Sequence, residues 1–179
     1  MKEKQAIIKA VVVLVVICIV ISGALAVVNS FTAPVSAANA AVRETAARQE
    51  LIPEALSFEE ATCALPENVV SAYTGKDADG KAVGYVFTTS GKGFGGAISV
   101  MCAISPDGTI LRCKTLDVSG ETKTLGGQTE SESYTGQYIG QDASLSGVSA
   151  ISGATITSTA YAGCVKTAFE AFDILKEAE

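Results

Sequence analysis

Histidine and tryptophan are absent from this 179-residue chain, which also has only four prolines and 6% aromatic residues. The lack of histidine removes the usual general base, the commonest zinc ligand and the proximal haem ligand together. Any chemistry must therefore come from hydroxyls, carboxylates, thiols or a bound cofactor. The five cysteines, Cys18, Cys63, Cys102, Cys113 and Cys164, contain no CxxC pair and no metal-ligand spacing. That pattern argues against a zinc or iron-sulfur site, and no metal ligand or catalytic residue is assigned. A net charge of -6 with no Lys/Arg-rich run argues against nucleic acid as a partner.

What is present first is a long apolar run. From Ala10 to Val28 there are nineteen residues without a charge, preceded by Lys2, Lys4 and Lys9 and followed by Asn29 and Ser30. As a helix this run is about 28 Å long, close to the hydrocarbon thickness of a bilayer. The residues predict a transmembrane helix over 10–28. The positive flank places 1–9 in the cytoplasm and the remainder outside, a single-pass protein of the cell (inner) membrane. A cleaved signal peptide is the competing reading, since Ala24-Leu25-Ala26 resembles a cleavage site; the apolar run exceeds the usual signal core and favours a retained anchor.

Beyond the anchor the chain has room for one domain. "SAANAAVRETAARQEL", residues 36–51, is rich in helix formers and predicts a helical stalk within 29–55, ended by Pro53. Runs rich in β-formers at 69–74, 82–90, 96–105 and 109–116, with "DADGK" and "SPDGT" at two of the joins, predict antiparallel hairpins. Residues 117–147 are rich in Gly, Ser, Thr and Gln and read as a long functional loop region with one short helix. Tyr161, Val165, Ala168, Phe172 and Leu175 recur at steps of four and three, the mark of a helix with one buried face. The expectation is an α+β domain over 56–179, an antiparallel sheet with flanking helices.

Directly before that last helix stands "ISGATITSTAYAGCV", residues 151–165, with five serine and threonine side chains. If Thr157 or Ser158 starts the helix, Ser152, Thr155 and Thr157 lie at its mouth, where free N–H groups and the helix dipole favour an anion such as phosphate. Gly153 permits a left-handed or close-approach backbone, and Ala154 keeps the entrance open. The alternative at this point is an ordinary hydroxyl cap and turn.

"SGATITS" resembles the S/T-G-A-T motif of the FMN-binding domain family. The resemblance implies FMN joined through a phosphoester to the motif's last threonine, here Thr155, by a flavin transferase. "GYVFTTSGKGFGGAISVMCAISPDGTI", residues 84–110, is similar to that family's strand, glycine loop and strand, and "ETKTLGG", residues 121–127, to its E-T-P-G-L-G segment. Lys123 and Thr124 stand where the family usually has Pro and Gly, and Ser149 where it has Asp. With the single anchor, this ordered set resembles the G-subunit family of Rnf ion-translocating electron-transport complexes, relatives of the C subunit of the Na+-pumping NADH:quinone reductase.

The resemblance implies an electron-carrier subunit of a redox-driven translocase, a ferredoxin:NAD+ oxidoreductase moving Na+ or H+. Its partners would be the other subunits of the complex, the flavin transferase and the lipid bilayer. It implies that Ser152, Gly153, Ala154, Thr155 and Thr157 hold the FMN, with Glu121, Thr122, Leu125 and Gly126 in a loop beside the isoalloxazine; the alternative for these four is a solvated surface loop. The glycine loop, with Gly93 and Phe94, is either a strained hairpin crossing or a backbone approach to the flavin. The alternatives are a component like the C subunit of the quinone reductase, a free-standing extracellular flavinylated electron-transfer protein, and a non-redox ectodomain in which Thr155 is a bare cap. Finally, if Asp107-Gly108 is a two-residue turn, Cys102 and Cys113 stand opposite each other on neighbouring strands.

Overall fold

The computed structural model describes residues 2–178; Met1 and Glu179, the outer bounds of the expected domains, lie outside the described residues. Helix α1 runs without a break over Lys2–Leu51, with Pro34 inside it. Among the described residues it is the one helix long and apolar enough to cross a membrane, with an 18-residue window of mean hydropathy 3.3. Its apolar side chains between Val11 and Val28 are exposed, as a helix that faces lipid requires. The chain divides into two compact units, the first ending at Arg43 and the second beginning at Glu44.

The second unit opens with the last turns of α1, which stop where Pro53 forbids continuation. Five strands follow in a simple meander: β1 (Ser57–Glu60), β2 (Val69–Lys76), β3 (Ala82–Lys92), β4 (Ala97–Ile104) and β5 (Ile110–Asp117). All neighbours are antiparallel and the spatial order equals the chain order. The α+β expectation therefore holds. Strand β1 is an addition to it: "SFEE" has no apolar alternation, because a four-residue edge strand leaves most of its side chains in water.

Both faces of the sheet are covered. On one face Phe87, Ile98, Val100, Cys102 and Ile104 pack with Tyr161, Val165, Ala168 and Phe172 of helix α3 (Thr155–Ala178). On the other, Val86, Met101 and Ala103 pack with Ala47, Leu51, Ile52 and Ala55. This two-sided burial explains why β3 reads as a continuous run rather than an alternation: Gly84 to Thr89 are all buried. Polar contacts join the same layers. Ser71 and Thr88 both donate to Glu44 Oε1 at 2.7 and 2.8 Å, and the Arg48 guanidinium lies 3.7 Å from the centre of the Tyr73 ring.

Between β5 and α3 the loop-rich stretch forms two 3-10 turns, Gly126–Glu130 and Gly136–Tyr138, around the single helical turn α2 (Glu132–Thr135). It is anchored by Tyr134 and Tyr138, whose rings pack edge-on and tilted against Tyr161 at 5.3 and 5.2 Å. These aromatics explain how a segment of weak periodicity stays ordered: two buried rings, not a helical stripe, hold it to the core.

Cys102 and Cys113 do face each other, with their sulfurs 3.5 Å apart and both thiols free. The turn that puts them there is not the two-residue turn expected. Ser105 N–H donates to Thr109 O, leaving three residues in the loop, and a bulge between Ala103 and Ile104 restores the register.

Burial raises the Cys113 thiol well above its ordinary value, and the hydrogen bond and charge of Cys102 add to the effect. Burial raises Cys164 as well. The native chain thus keeps protons that the unfolded chain releases above about pH 8.5, so stability is full below that value and declines as pH rises. The urea midpoint should fall from about pH 7.5 to about pH 9.5, and fall less in Cys113→Ala; equal falls in both proteins would contradict the assignment. Phe87, fully buried between sheet and helix, should cost about 3–5 kcal/mol on replacement by alanine, read from the same urea curves.

Candidate functional site

The hairpin between β3 and β4, the loop after β5 and the start of α3 meet at one end of the sheet. The first of these is a tight turn, Gly93-Phe94-Gly95-Gly96, closed by Gly93 N–H donating to Gly96 O at 2.8 Å, and it leaves Phe94 75% exposed. Its glycines have ordinary negative φ, so the turn does not need them for a left-handed backbone. They answer to crowding: a Cβ on Gly95 would lie 1.9 Å from Gly120 O, and one on Gly93 would lie 2.3 Å from Glu121 Oε1. The loop is a hairpin, but its backbone carries no left-handed strain, and Phe94 is the side chain it turns outward.

Glu121 is not the solvated surface charge that a polar loop would give: it sits at the centre of the junction, buried, because donors meet both carboxyl oxygens. Gly95 N–H donates to Oε1 at 2.9 Å and Thr157 Oγ1 donates to Oε2 at 2.8 Å. Gly126 closes the other side, where a Cβ would lie 2.3 Å from Oε2 and 2.8 Å from Thr157 Oγ1. Thr122 O accepts from Leu125 N–H and Gly127 N–H, a turn that brings Leu125 against Gly153 and leaves Lys123 and Thr124 exposed on its outer side.

Helix α3 begins at Thr155, two residues before the earliest start expected. Its β-branched first turn is tolerated because Gly153, at φ +79°, reverses the chain and Ala154 N–H is held by Ile151 O. The earlier start changes the role of two hydroxyls. Thr157 points inward, 1% exposed, and its hydroxyl donates a hydrogen bond to Glu121 Oε2; Ser158, also buried, accepts from Ile151 N–H. The residue at the cap position is Ala154, which has no side-chain acceptor. Among the described residues nothing accepts from the N–H groups of Thr155, Ile156 and Thr157. The ordinary hydroxyl cap is therefore not what this stretch forms: the helix mouth is open to an outside anion.

Beside that mouth lies a cavity of about 340 Å³. Gly153, Ala154 and Thr155 form one wall with Ile156 and Thr157; Glu121, Thr122, Leu125 and Gly126 form another; and Phe94 reaches in from the hairpin. The volume is that of a site for a small organic ligand. Thr155 is exposed on the wall, and Phe94, Leu125 and Ile156 are exposed apolar side chains around it. Of the residues singled out from the sequence, Ser152 is exposed outside this lining and Gly93 lies behind Glu121; the others are brought together. Ile156 was not among them. Its signal was an isoleucine between two threonines at a helix start, where an apolar side chain, 56% exposed, has no core to enter.

The site has the parts a flavin mononucleotide needs: an uncapped helix mouth for phosphate, an exposed threonine within it, and apolar and aromatic side chains around a cavity for the ring. Residues 93–170 match the FMN-binding domain family. The chain is similar to the G subunit of the ion-translocating oxidoreductase complex of Methanosarcina acetivorans, 30% identical and covering 95% of this chain and 96% of that one. It is similar also to the G subunit of the Na(+)-translocating ferredoxin:NAD(+) oxidoreductase complex of Acetobacterium woodii, 30% identical over 92% of this chain and 91% of that one. NqrC of Shewanella oneidensis shares the fold, with a TM-score of 0.53 over 71% of this chain and 72% of that one at 20% identity. Agreement of this kind along nearly the full length of both chains means that the protein belongs to the G-subunit family of ion-translocating oxidoreductase complexes.

Proposed function

We propose that this protein is the membrane-anchored flavin carrier of an ion-translocating ferredoxin:NAD+ oxidoreductase complex, with FMN esterified through its phosphate to Thr155. The family membership supports an electron-transfer flavoprotein within such a complex. The observation that carries the attachment point is Thr155, an exposed residue at the uncapped mouth of α3, on the wall of the cavity.

Each part of the site then has a task. Thr155 would hold the phosphate as an ester, and the free N–H groups of residues 155–157, with the helix dipole, would offset its negative charge. Phe94, Leu125 and Ile156 would hold the ring by apolar contact and keep water from one of its faces. Bound FMN supplies the capacity to take up and release electrons singly or in pairs. A covalent tether suits a carrier working outside the cytoplasm, where a lost cofactor could not be recovered.

Helix α1 is read as a single-pass anchor. Lys2, Lys4 and Lys9 keep residues 1–9 in the cytoplasm and put the FMN domain on the other side. The partners are the other subunits of the complex, the lipid bilayer, and the flavin transferase that installs the cofactor.

Full-length chain from cells with an active flavin transferase should give a band that fluoresces in a denaturing gel, because only a covalent flavin survives denaturation. Peptide mass spectrometry should place one esterified FMN on Thr155, and Thr155→Ala should remove both signals. An unmodified native peptide around Thr155 from such cells, or a fluorescent Thr155→Ala band, would count against the proposal.

A further inference from the structure

The geometry points to Glu121 as a positioning residue for cofactor attachment: a latch that ties the β3–β4 hairpin to the first turn of α3 and so presents the Thr155 hydroxyl. This rests on the proposed attachment at Thr155 and goes beyond it, since Glu121 acts through other groups and need not touch the flavin.

Three observations meet in this residue. Its two oxygens are divided between two segments 62 positions apart, Gly95 N–H on the hairpin and Thr157 Oγ1 on the helix. Its carboxyl group is packed between two glycines, Gly93 and Gly126, at positions where a Cβ would come within 2.3 Å of one oxygen or the other. It is buried, although an unpaired carboxyl group there would carry a large desolvation cost. The hairpin carries Phe94 and the helix turn carries Thr155 and Ile156, so the latch sets the distance between opposite sides of the cavity. Among the described residues no other hydrogen bond ties the Gly93–Gly96 turn to α3.

Attachment is a phosphoryl transfer. Thr155 Oγ1 forms a bond to phosphorus and its proton passes to a base of the transferase, while the bond from phosphorus to the leaving group of a flavin-nucleotide donor, supplied by the transferase, breaks and its electron pair departs with that group. Such a step is sensitive to the placement of the attacking oxygen. Removing the latch frees the first turn of α3 from the hairpin without altering Thr155 itself.

The test uses the full-length chain, produced in cells with an active flavin transferase, and reads flavin per folded chain. Folding is checked by thermal unfolding, and local order by hydrogen exchange at the Gly95 amide. Glu121→Ala, where folded, should lose loading at least about tenfold. Glu121→Gln should stay near wild type, because the carboxamide oxygen accepts from Gly95 N–H while its NH2 donates to Thr157 Oγ1. Should Glu121→Ala not fold, Thr157→Val against Thr157→Ser decides the same point, with loss expected in the first and recovery in the second.

Loading of Glu121→Ala, or of Thr157→Val, at the wild-type level would overturn the latch, as would a Glu121→Gln chain as defective as Glu121→Ala. A wild-type chain that stays bare while a control flavoprotein is loaded would sink the attachment at Thr155 itself. Gly95 exchange then decides the remainder: acceleration in Glu121→Ala keeps the tie between hairpin and helix, and an unchanged rate removes it.

Discussion

Helix α3 buries Tyr161, Val165, Ala168 and Phe172 against β3 and β4, and that contact governs where its first turn can lie. A helix rises only 1.5 Å per residue, so once Tyr161 is seated in the core, Thr155 is confined to a small region beyond the end of the sheet. The β3–β4 hairpin emerges at that same end because β3 and β4 pair in register out to Lys92 and Ala97. The meeting of hairpin and helix mouth is thus a consequence of core packing. The cavity lies in the gap between them.

What keeps that gap from collapsing or gaping is a polar contact built inside a close-packed junction. Glu121 can enter only because Gly93 and Gly126 leave room for its oxygens, and it is tolerated there only because both oxygens are met by donors. At the same time Ala154 leaves the helix mouth without a side-chain cap. The inner donor, Thr157, is satisfied within the protein, while the N–H groups of the first turn are not. That division between a closed inner bond and open outer donors is what an anion-holding helix mouth requires.

Much of this was legible along the chain. The four longer strands and α3 announce themselves because each has enough buried apolar residues to leave a pattern, and the transmembrane candidate because lipid leaves no room for charge. Strand β1 left no trace, since a short edge strand made of Ser, Phe and two Glu is recruited by β2 rather than by burial. The start of α3 was displaced because Thr155, Ile156 and Thr157 are weak helix formers; packing, not propensity, extends the helix back to them. The facing of Cys102 and Cys113 came out as expected for a different reason, a bulge compensating for a longer turn.

The residues alone determined the kind of protein this is: an apolar run able to span a bilayer, an antiparallel sheet with a covering helix, and a hydroxyl-rich stretch suited to an anion, without histidine or a metal-ligand pattern. These follow from composition and period, which act locally. Only the tertiary structure decided which threonine is exposed and which is buried. Thr155 and Thr157 stand two residues apart with the same side chain, yet a helix turns 100° per residue, and the carboxyl group that draws Thr157 inward comes from Glu121, 36 positions away. A choice made by a partner so distant in the chain exists only once the chain has folded.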